Sequence, residues 1–103
     1  DKQTNERVIV DCNSIVYIES FGHQIIVHTV DNEYYVNERL YKLSEQLDKK
    51  DFIRVSVSVI VAKSKIKKIT PTLSMKFVLT LTENSVVDVT RSYYHAFKDA
   101  FNI

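Results

Sequence analysis

The sequence predicts a mainly β domain of antiparallel strands with two short helices. Its 103 residues suffice for one domain and are too few for two, and a hydrophobic fraction of 45% with a charged fraction of 26% is ordinary for a folded globular protein. Most of the chain consists of short runs rich in Val, Ile, Thr and Tyr, which favour strands, while two segments change to a helical period.

The first third of the chain predicts a three-stranded meander. The single glycine, Gly22, lies between two β-branched runs, 13–20 and 23–30, and supplies the positive φ that a tight hairpin turn requires. An Asp-Asn pair then makes the turn before a third run at 33–37.

The segment at about 38–48 predicts the first helix. Leu40, Leu43 and Leu47 recur at i, i+3 and i+7, and charged or amide side chains occupy the positions between them. This pattern is typical of an amphipathic helix of about three turns that packs one face on a sheet.

The segment at about 91–101 predicts the second helix. Tyr94, Phe97 and Phe101 share one stripe, which indicates a helix docked on a sheet, and Thr90 is a suitable N-cap residue.

Between the helices we expect five further strands, at about 52–55, 58–62, 66–70, 73–82 and 86–90. The fourth alternates most clearly, which is typical of a half-buried antiparallel strand. Its apolar face comprises Leu73, Met75, Phe77, Leu79 and Leu81. A turn follows at 83–85, in which Asn84 suits a left-handed conformation.

The charges are segregated along the chain. The net charge is only +1, but residues 52–82 carry six cations and no carboxylate, whereas residues 1–51 carry ten acids and six bases. A localised basic segment suits contact with an anionic polymer, and it equally suits a solvated edge strand guarded by lysines. Strand alternation predicts that Lys67 and Lys68 point to opposite faces.

The sequence gives little support for catalysis, metal binding or membrane insertion. The single cysteine, Cys12, cannot form an internal disulfide or a multi-thiolate zinc site, and we expect a small, partly buried thiol. No catalytic motif such as HExxH or GxSxG occurs, and no apolar run approaches the roughly 20 residues that span a bilayer. We therefore expect a soluble, intracellular protein that is not an enzyme and needs no cofactor or metal, with a hydrolase using Cys12 as a distant alternative.

Two cationic or titratable residues have unusual positions. His23 directly follows the turn glycine, at a hairpin tip from which a side chain can project. Arg91 falls in the first turn of the second predicted helix, where a cation opposes the helix dipole. An arginine is also suited to bidentate contact with guanine or phosphate.

In this order the motifs resemble the LytTR DNA-binding domains of bacterial response regulators. The resemblance rests on YIES-x-x-H ending at His23, an L-x-x-L helix, FIRV-x-x-S-x-IV at 52–61, a basic I-x-x-I at 66–69 and TRSYYHAF at 90–97. It covers about residues 6–101 and implies an elongated antiparallel β fold. It also implies a bacterial, cytoplasmic protein that inserts loops, rather than a recognition helix, into successive major grooves of duplex DNA.

The resemblance implies roles for individual residues. His23 and Arg91 match the base-reading positions of the family, and Ser58 matches a phosphate-contacting serine of its middle loop. The residues expected at the DNA backbone or in that loop are Ser56, Val57, Ser58, Lys63 and Lys65.

Two positions depart from the family pattern. Val57 stands where many members have Arg or Asn, and Ala62 stands where they usually have Asn. Valine can contact a thymine methyl but cannot hydrogen-bond a base edge, so we expect base specificity to rest on His23 and Arg91. We also expect this domain to read DNA differently at Val57 and Ala62.

The resulting hypothesis is a single domain over residues 1–103 that binds repeated promoter sites together with a second copy of itself. It would be the output module of a two-component response regulator whose receiver domain precedes Asp1, since the chain does not begin with Met. The alternative is a small β-rich protein-interaction module with a lysine-guarded edge strand.

Overall fold

The computed structural model describes residues 9–103, which form two antiparallel sheets and two short helices. The strands are β1 (Ile15–Phe21), β2 (Gln24–Thr29), β3 (Glu33–Val36), β4 (Phe52–Ser56), β5 (Val59–Ala62), β6 (Ile66–Pro71), β7 (Phe77–Leu81) and β8 (Val86–Val89), and the helices are α1 (Leu40–Gln46) and α2 (Tyr94–Phe101). The Cα atoms extend over 45 × 24 × 21 Å, so the molecule is elongated. This confirms the predicted fold class.

The larger sheet has the strand order β3-β2-β1-β5-β4, with every neighbouring pair antiparallel. Its first three strands are the predicted meander, and Gly22 has the expected positive φ of 56° in the β1–β2 turn. The pair β1–β5 joins the meander to the middle of the chain, with Glu19 opposite Val59.

The smaller sheet has the order β6-β7-β8, so β6 is an edge strand. A β-bulge inserts one extra residue in β6, because Ile66 pairs with Leu81 and Lys68 with the next residue of β7, Thr80. The expectation of opposite faces for Lys67 and Lys68 is wrong: both lysines are exposed, while the isoleucines on either side of them pack on the core. Strict alternation does not continue through a bulge.

Two apolar clusters hold the layers together. One lies between the larger sheet and α1, where Leu40 is buried and Leu43 and Leu47 pack against the cluster. The other fills the space between the two sheets and α2, and its fully buried side chains include Leu79, Leu81 and Phe97. Both predicted amphipathic faces are therefore confirmed as packing faces.

The second helix begins later than its sequence pattern suggests. Residues Arg91–Tyr93 form a 3-10 turn, and α2 itself starts at Tyr94. Thr90 does not cap this helix with its side chain; its hydroxyl donates to the carbonyl oxygen of Val55 at 3.5 Å instead. A tertiary contact has replaced the local cap.

The strand predicted at 73–82 begins only at Phe77. The backbone N–H and the hydroxyl of Thr72 both donate to the carbonyl oxygen of Lys76, at 3.1 and 3.0 Å, and close a tight loop. Met75 has a positive φ of 58° in this loop, and Leu73 is fully exposed. In the sequence the apolar alternation starts at Leu73, before the strand begins, so it did not predict the N-terminal boundary of the strand.

Candidate nucleic-acid interface

Three turns lie together at one end of the strands. They are Ser20–His23 between β1 and β2, Ser56–Ser58 between β4 and β5, and Thr90–Tyr93 before α2. The N–H of Ser20 donates to the carbonyl oxygen of Ser58 at 2.9 Å, and the N–H of Thr90 donates to that of Val55 at 3.0 Å. We call these three turns the loop face.

The first turn presents His23. Gly22 makes the tight reversal, and the exposed imidazole of His23 follows it at the tip of a hairpin whose strands are both paired. Because the scaffold below it is rigid, this side chain is held in a defined place at the surface.

The third turn presents Arg91. The 3-10 turn that contains it is closed by the N–H of Tyr93 donating to the carbonyl oxygen of Thr90 at 2.9 Å. The helix that follows is anchored by Tyr94, whose ring stacks on Phe77 with centroids 5.0 Å apart, and by the buried Phe97. The exposed Arg91 therefore projects from a turn that is fixed on both sides.

The middle turn divides its residues between surface and interior. Val57 is 72% exposed and stands at the tip of the turn. Ser56 is only 8% exposed, and its hydroxyl oxygen accepts a hydrogen bond from the N–H of Ser58 at 3.2 Å. Ser56 thus shapes the turn, whereas Val57 and the half-buried Ser58 are open to a partner.

Arg54 supports the middle turn, a role that the sequence alone did not reveal. Its Nε donates to the carbonyl oxygen of Ser56 at 3.1 Å, and its Nη2 donates to that of Val57. An arginine inside an otherwise apolar strand needs polar partners close by. The position of Arg54 in its strand was therefore the one feature of the sequence that could have indicated this role.

Phe21 is a second surface residue that sequence reasoning missed. It is 62% exposed beside the turn glycine. It ends β1 two residues beyond Glu19, which pairs with Val59 just after the middle turn. The loop face therefore carries exposed apolar side chains as well as cations.

Lys63 and Lys65 lie away from these turns, at the opposite end of β5. The Nζ of Lys65 donates to the carbonyl oxygen of Asn13 at 2.7 Å, just before β1 begins. The Nζ of Lys63 lies 6.0 Å from the ring centroid of Phe101, at the C-terminal end of α2. The structure does not bring these two lysines together with His23 and Arg91.

Ala62 is also remote from the loop face. It is 4% exposed, pairs with Phe52 and belongs to the core under α1. The expectation that the domain reads DNA differently at Ala62 is wrong, because this side chain has no access to a ligand.

The cations near the loop face have no carboxylate partner among residues 9–103. The contacts between basic and acidic side chains in that part of the chain join His28 to Glu19 and to Glu33, the second with a separation of 3.3 Å. Arg54 and Arg91 take part in neither. Arg91 also lies beside the positive N-terminal end of α2, so an incoming anion would relieve the repulsion there.

Cys12 does not have the partly buried position that we expected. It is exposed, in a 3-10 turn before β1 in which the Asp11 side chain accepts a hydrogen bond from the N–H of Asn13 at 2.9 Å. In the part of the chain that the structure describes, no group of three or more His, Cys, Asp and Glu residues is arranged for a metal ion. Neither described helix is long and apolar enough to cross a membrane.

Fold and site together define a class: an elongated, mainly β domain with exposed turns at one end of its strands. Residues 5–102 match the family model of the LytTr DNA-binding domain. The chain belongs to this family of DNA-binding domains, which is found in regulators of transcription. The family is not an enzymatic one.

Two Bacillus relatives agree with this assignment. The chain is 32% identical over 96 residues to the sensory transduction protein LytT of Bacillus subtilis (strain 168), and 30% identical to LytT of Bacillus anthracis. Each match covers 93% of this chain but only 40% and 39% of the relative, so the chain spans about two fifths of their length.

A solved structure matches over nearly its whole length. The LytTr DNA-binding domain of a putative methyl-accepting/DNA response regulator from Bacillus cereus superposes with a TM-score of 0.91 at 25% identity. The match covers 98% of this chain and 93% of that domain.

Proposed function

We propose that this domain binds duplex DNA in a sequence-specific manner through the loop face. The observation that carries the proposal is the joining of three turns by the bonds of Ser20 to Ser58 and of Thr90 to Val55, with His23 and Arg91 exposed. Rigid turns hold donors in fixed positions, as direct reading of base edges in a major groove requires.

In this proposal His23 and Arg91 contact bases, and Ser58 contacts a phosphate. Val57 and Phe21 contribute apolar contact, for which the thymine methyl group is the natural partner in the major groove. Ser56 and Arg54 keep the middle turn in shape through their bonds within it.

Binding to successive grooves is part of the proposal. The longest extent of the molecule, 45 Å, exceeds one turn of B-DNA, about 34 Å, so its overall size is compatible with contact to two grooves on the same side of the duplex. Repeated sites would then be filled by two copies, in a response regulator that also contains a receiver domain.

The test is the salt dependence of duplex binding. We expect the affinity of this chain for a selected duplex to fall steeply as salt rises, because cations that contact phosphates release counterions. Selection from random duplexes should also return a recurring sequence. A flat salt response, or no enrichment of any sequence, would exclude the proposal.

A second candidate function is a protein-interaction module in which the lysines of β6 guard an edge strand instead of contacting DNA. β6 is an edge strand with two adjacent exposed lysines at a bulge, which is a typical protection against pairing with another strand. Under this alternative, replacing Lys67 and Lys68 by Ser should promote self-association and leave DNA affinity unchanged. Sedimentation velocity and duplex titration of the same variant distinguish the two functions.

A further inference from the structure

A cleft of about 450 Å³ opens beside the loop face, between the β1–β2 turn and the start of α1. Its polar lining comes from three separate parts of the chain: the hairpin, the segment that leads into α1, and β4. The polar and charged lining residues are Ser20, His23, Asn37, Glu38, Arg39, Tyr41 and Arg54.

The cleft has an excess of positive charge. Arg39 and Arg54 both line it, and neither belongs to an ion pair within residues 9–103. The one carboxylate of the lining, Glu38, accepts a hydrogen bond from the N–H of Arg39 at 3.0 Å. His23 adds a ring nitrogen donor on the hairpin side.

Arg39 occupies a position that is unfavourable for the helix. It is the N-cap residue of α1 and makes no side-chain cap hydrogen bond. Ser, Thr, Asp or Asn would stabilise this position better than arginine does. Helix capping therefore does not account for this arginine, which lines the cleft instead.

Arg54 links the cleft to the middle turn. Two of its five N–H donors are used on the carbonyl oxygens of Ser56 and Val57, and the guanidinium remains part of the cleft wall. An anion in the cleft would therefore be held by the same side chain that fixes the turn carrying Val57.

We propose that this cleft binds a phosphate group, with Arg39 as its main cationic contact and Arg54 and His23 beside it. The inference rests on the proposed function: in the DNA complex the occupant is one backbone phosphate next to the base that His23 contacts. The shared chemistry is a tetrahedral oxyanion, for which a forked guanidinium is the preferred donor. Inorganic phosphate is the other source of the same chemistry.

The experiment compares Arg39→Gln with the matched control Lys42→Gln. Lys42 is also exposed, lies on α1 three residues further on, and does not line the cleft. We expect Arg39→Gln to reduce the slope of log affinity against log salt by about one, and Lys42→Gln to leave it unchanged. Methylphosphonate substitution, moved along the duplex one phosphate at a time, should locate one position that weakens binding of the wild-type chain but not of Arg39→Gln.

A second arm uses inorganic phosphate with no DNA present. At constant ionic strength against chloride, phosphate should shift the NMR signals of His23, Arg39 and Arg54 in the wild-type chain, and these shifts should vanish in Arg39→Gln. If the wild-type chain binds no duplex but still shows these shifts, the proposed function fails and the phosphate cleft stands. Equal effects of the two variants on duplex binding, together with no shifts from phosphate, would overturn the cleft.

Discussion

The loop face and the opposite ends of the same strands differ in how many of their polar side chains have hydrogen-bond partners within the protein. We call the opposite ends the closed face; its segments are Asp11–Ser14, Thr29–Glu33, Lys63–Lys65 and Thr82–Ser85. On the closed face the Lys65 ammonium donates to a backbone carbonyl, and the Thr82 hydroxyl donates to the carbonyl oxygen of Lys65 at 3.3 Å. The Thr29 hydroxyl donates to the carbonyl oxygen of Asn32 at 3.0 Å.

On the loop face the exposed side chains remain open. Arg91 and His23 have no ion-pair partner within residues 9–103, and Val57 and Phe21 expose apolar surface. A polar group that is bonded within the protein must give up that bond to contact a ligand, whereas an open one exchanges only its bonds to water. The same set of strands thus ends in the closed face on one side and in the open loop face, for which we propose DNA binding, on the other.

The strongest test of this comparison removes the core that supports the third turn. Phe97→Ala deletes a fully buried ring that lies 5.3 Å from Phe77 and 4.6 Å from Phe101, centroid to centroid. We expect the free energy of unfolding to fall by about 3–5 kcal/mol, as for other buried aromatic truncations. Urea denaturation measures this loss, and His95→Ala, at an exposed position of the same helix, should change stability little.

Arg91→Ala tests the loop face directly. We expect a loss of about 1–3 kcal/mol in binding free energy on the selected site, little loss on random duplex, and no loss of stability. Lys98→Ala, near the other end of α2, is the control. Equal losses on both duplexes would demote Arg91 from a base contact to a phosphate contact.

His28→Gln tests the structural side of the comparison. The Nε2 of His28 faces Glu19, its Nδ1 lies 3.3 Å from Glu33, and its ring stacks on Tyr17 at 4.1 Å. The loss of these partly buried contacts should cost about 1–2 kcal/mol of unfolding free energy. Duplex affinity should stay the same; a variant that binds DNA more weakly at unchanged stability would contradict the division into two faces.

Tyr17→Phe should have the smallest effect, and its pH dependence should appear only at alkaline pH. Burial of the phenol, followed by the charges of Glu19 and Glu33 and a hydrogen bond to Glu19, raises the pKa of Tyr17 above its ordinary value of 10.0. The unfolded chain therefore releases this proton at lower pH than the folded one, so the stabilising contribution is complete below about pH 10 and is lost as pH rises through the folded pKa.

The measurement for Tyr17→Phe is the free energy of unfolding as a function of pH above 9. The variant should lose stability less steeply with pH than the wild type. Tyr41→Phe, at an exposed tyrosine of α1, should follow the wild-type curve. Identical slopes for all three proteins would refute the linkage.

Hydrophobic periodicity determined most of the fold. Three patterns each follow a single period: the β-branched runs around Gly22, the leucines of α1 and the aromatic stripe of α2. In each, the residues that recur with that period form the face that packs on the core. Such patterns are local, so they can be read without knowing what the segment packs against. His23 and Arg91 were predicted as exposed site residues partly in the same way, because a turn glycine and a helix start are local features; their contact with DNA stays a prediction.

Some structural features depend on contacts between segments that are distant in the sequence, and only the tertiary structure decided these. Hydrogen bonds or packing that no single run of sequence encodes set three features. These are the bulge at Lys67, the loop around Met75 that precedes β7, and the burial of Ser56 and Ala62. The same holds for Arg39 and Arg54, which come from different elements and meet only in the folded cleft. The sequence by itself determined the elements and their core faces, since periodicity is a local property. Only the fold decided which side chains share the loop face, because its hydrogen bonds join residues about 35 positions or more apart, such as Ser20 to Ser58 and Thr90 to Val55.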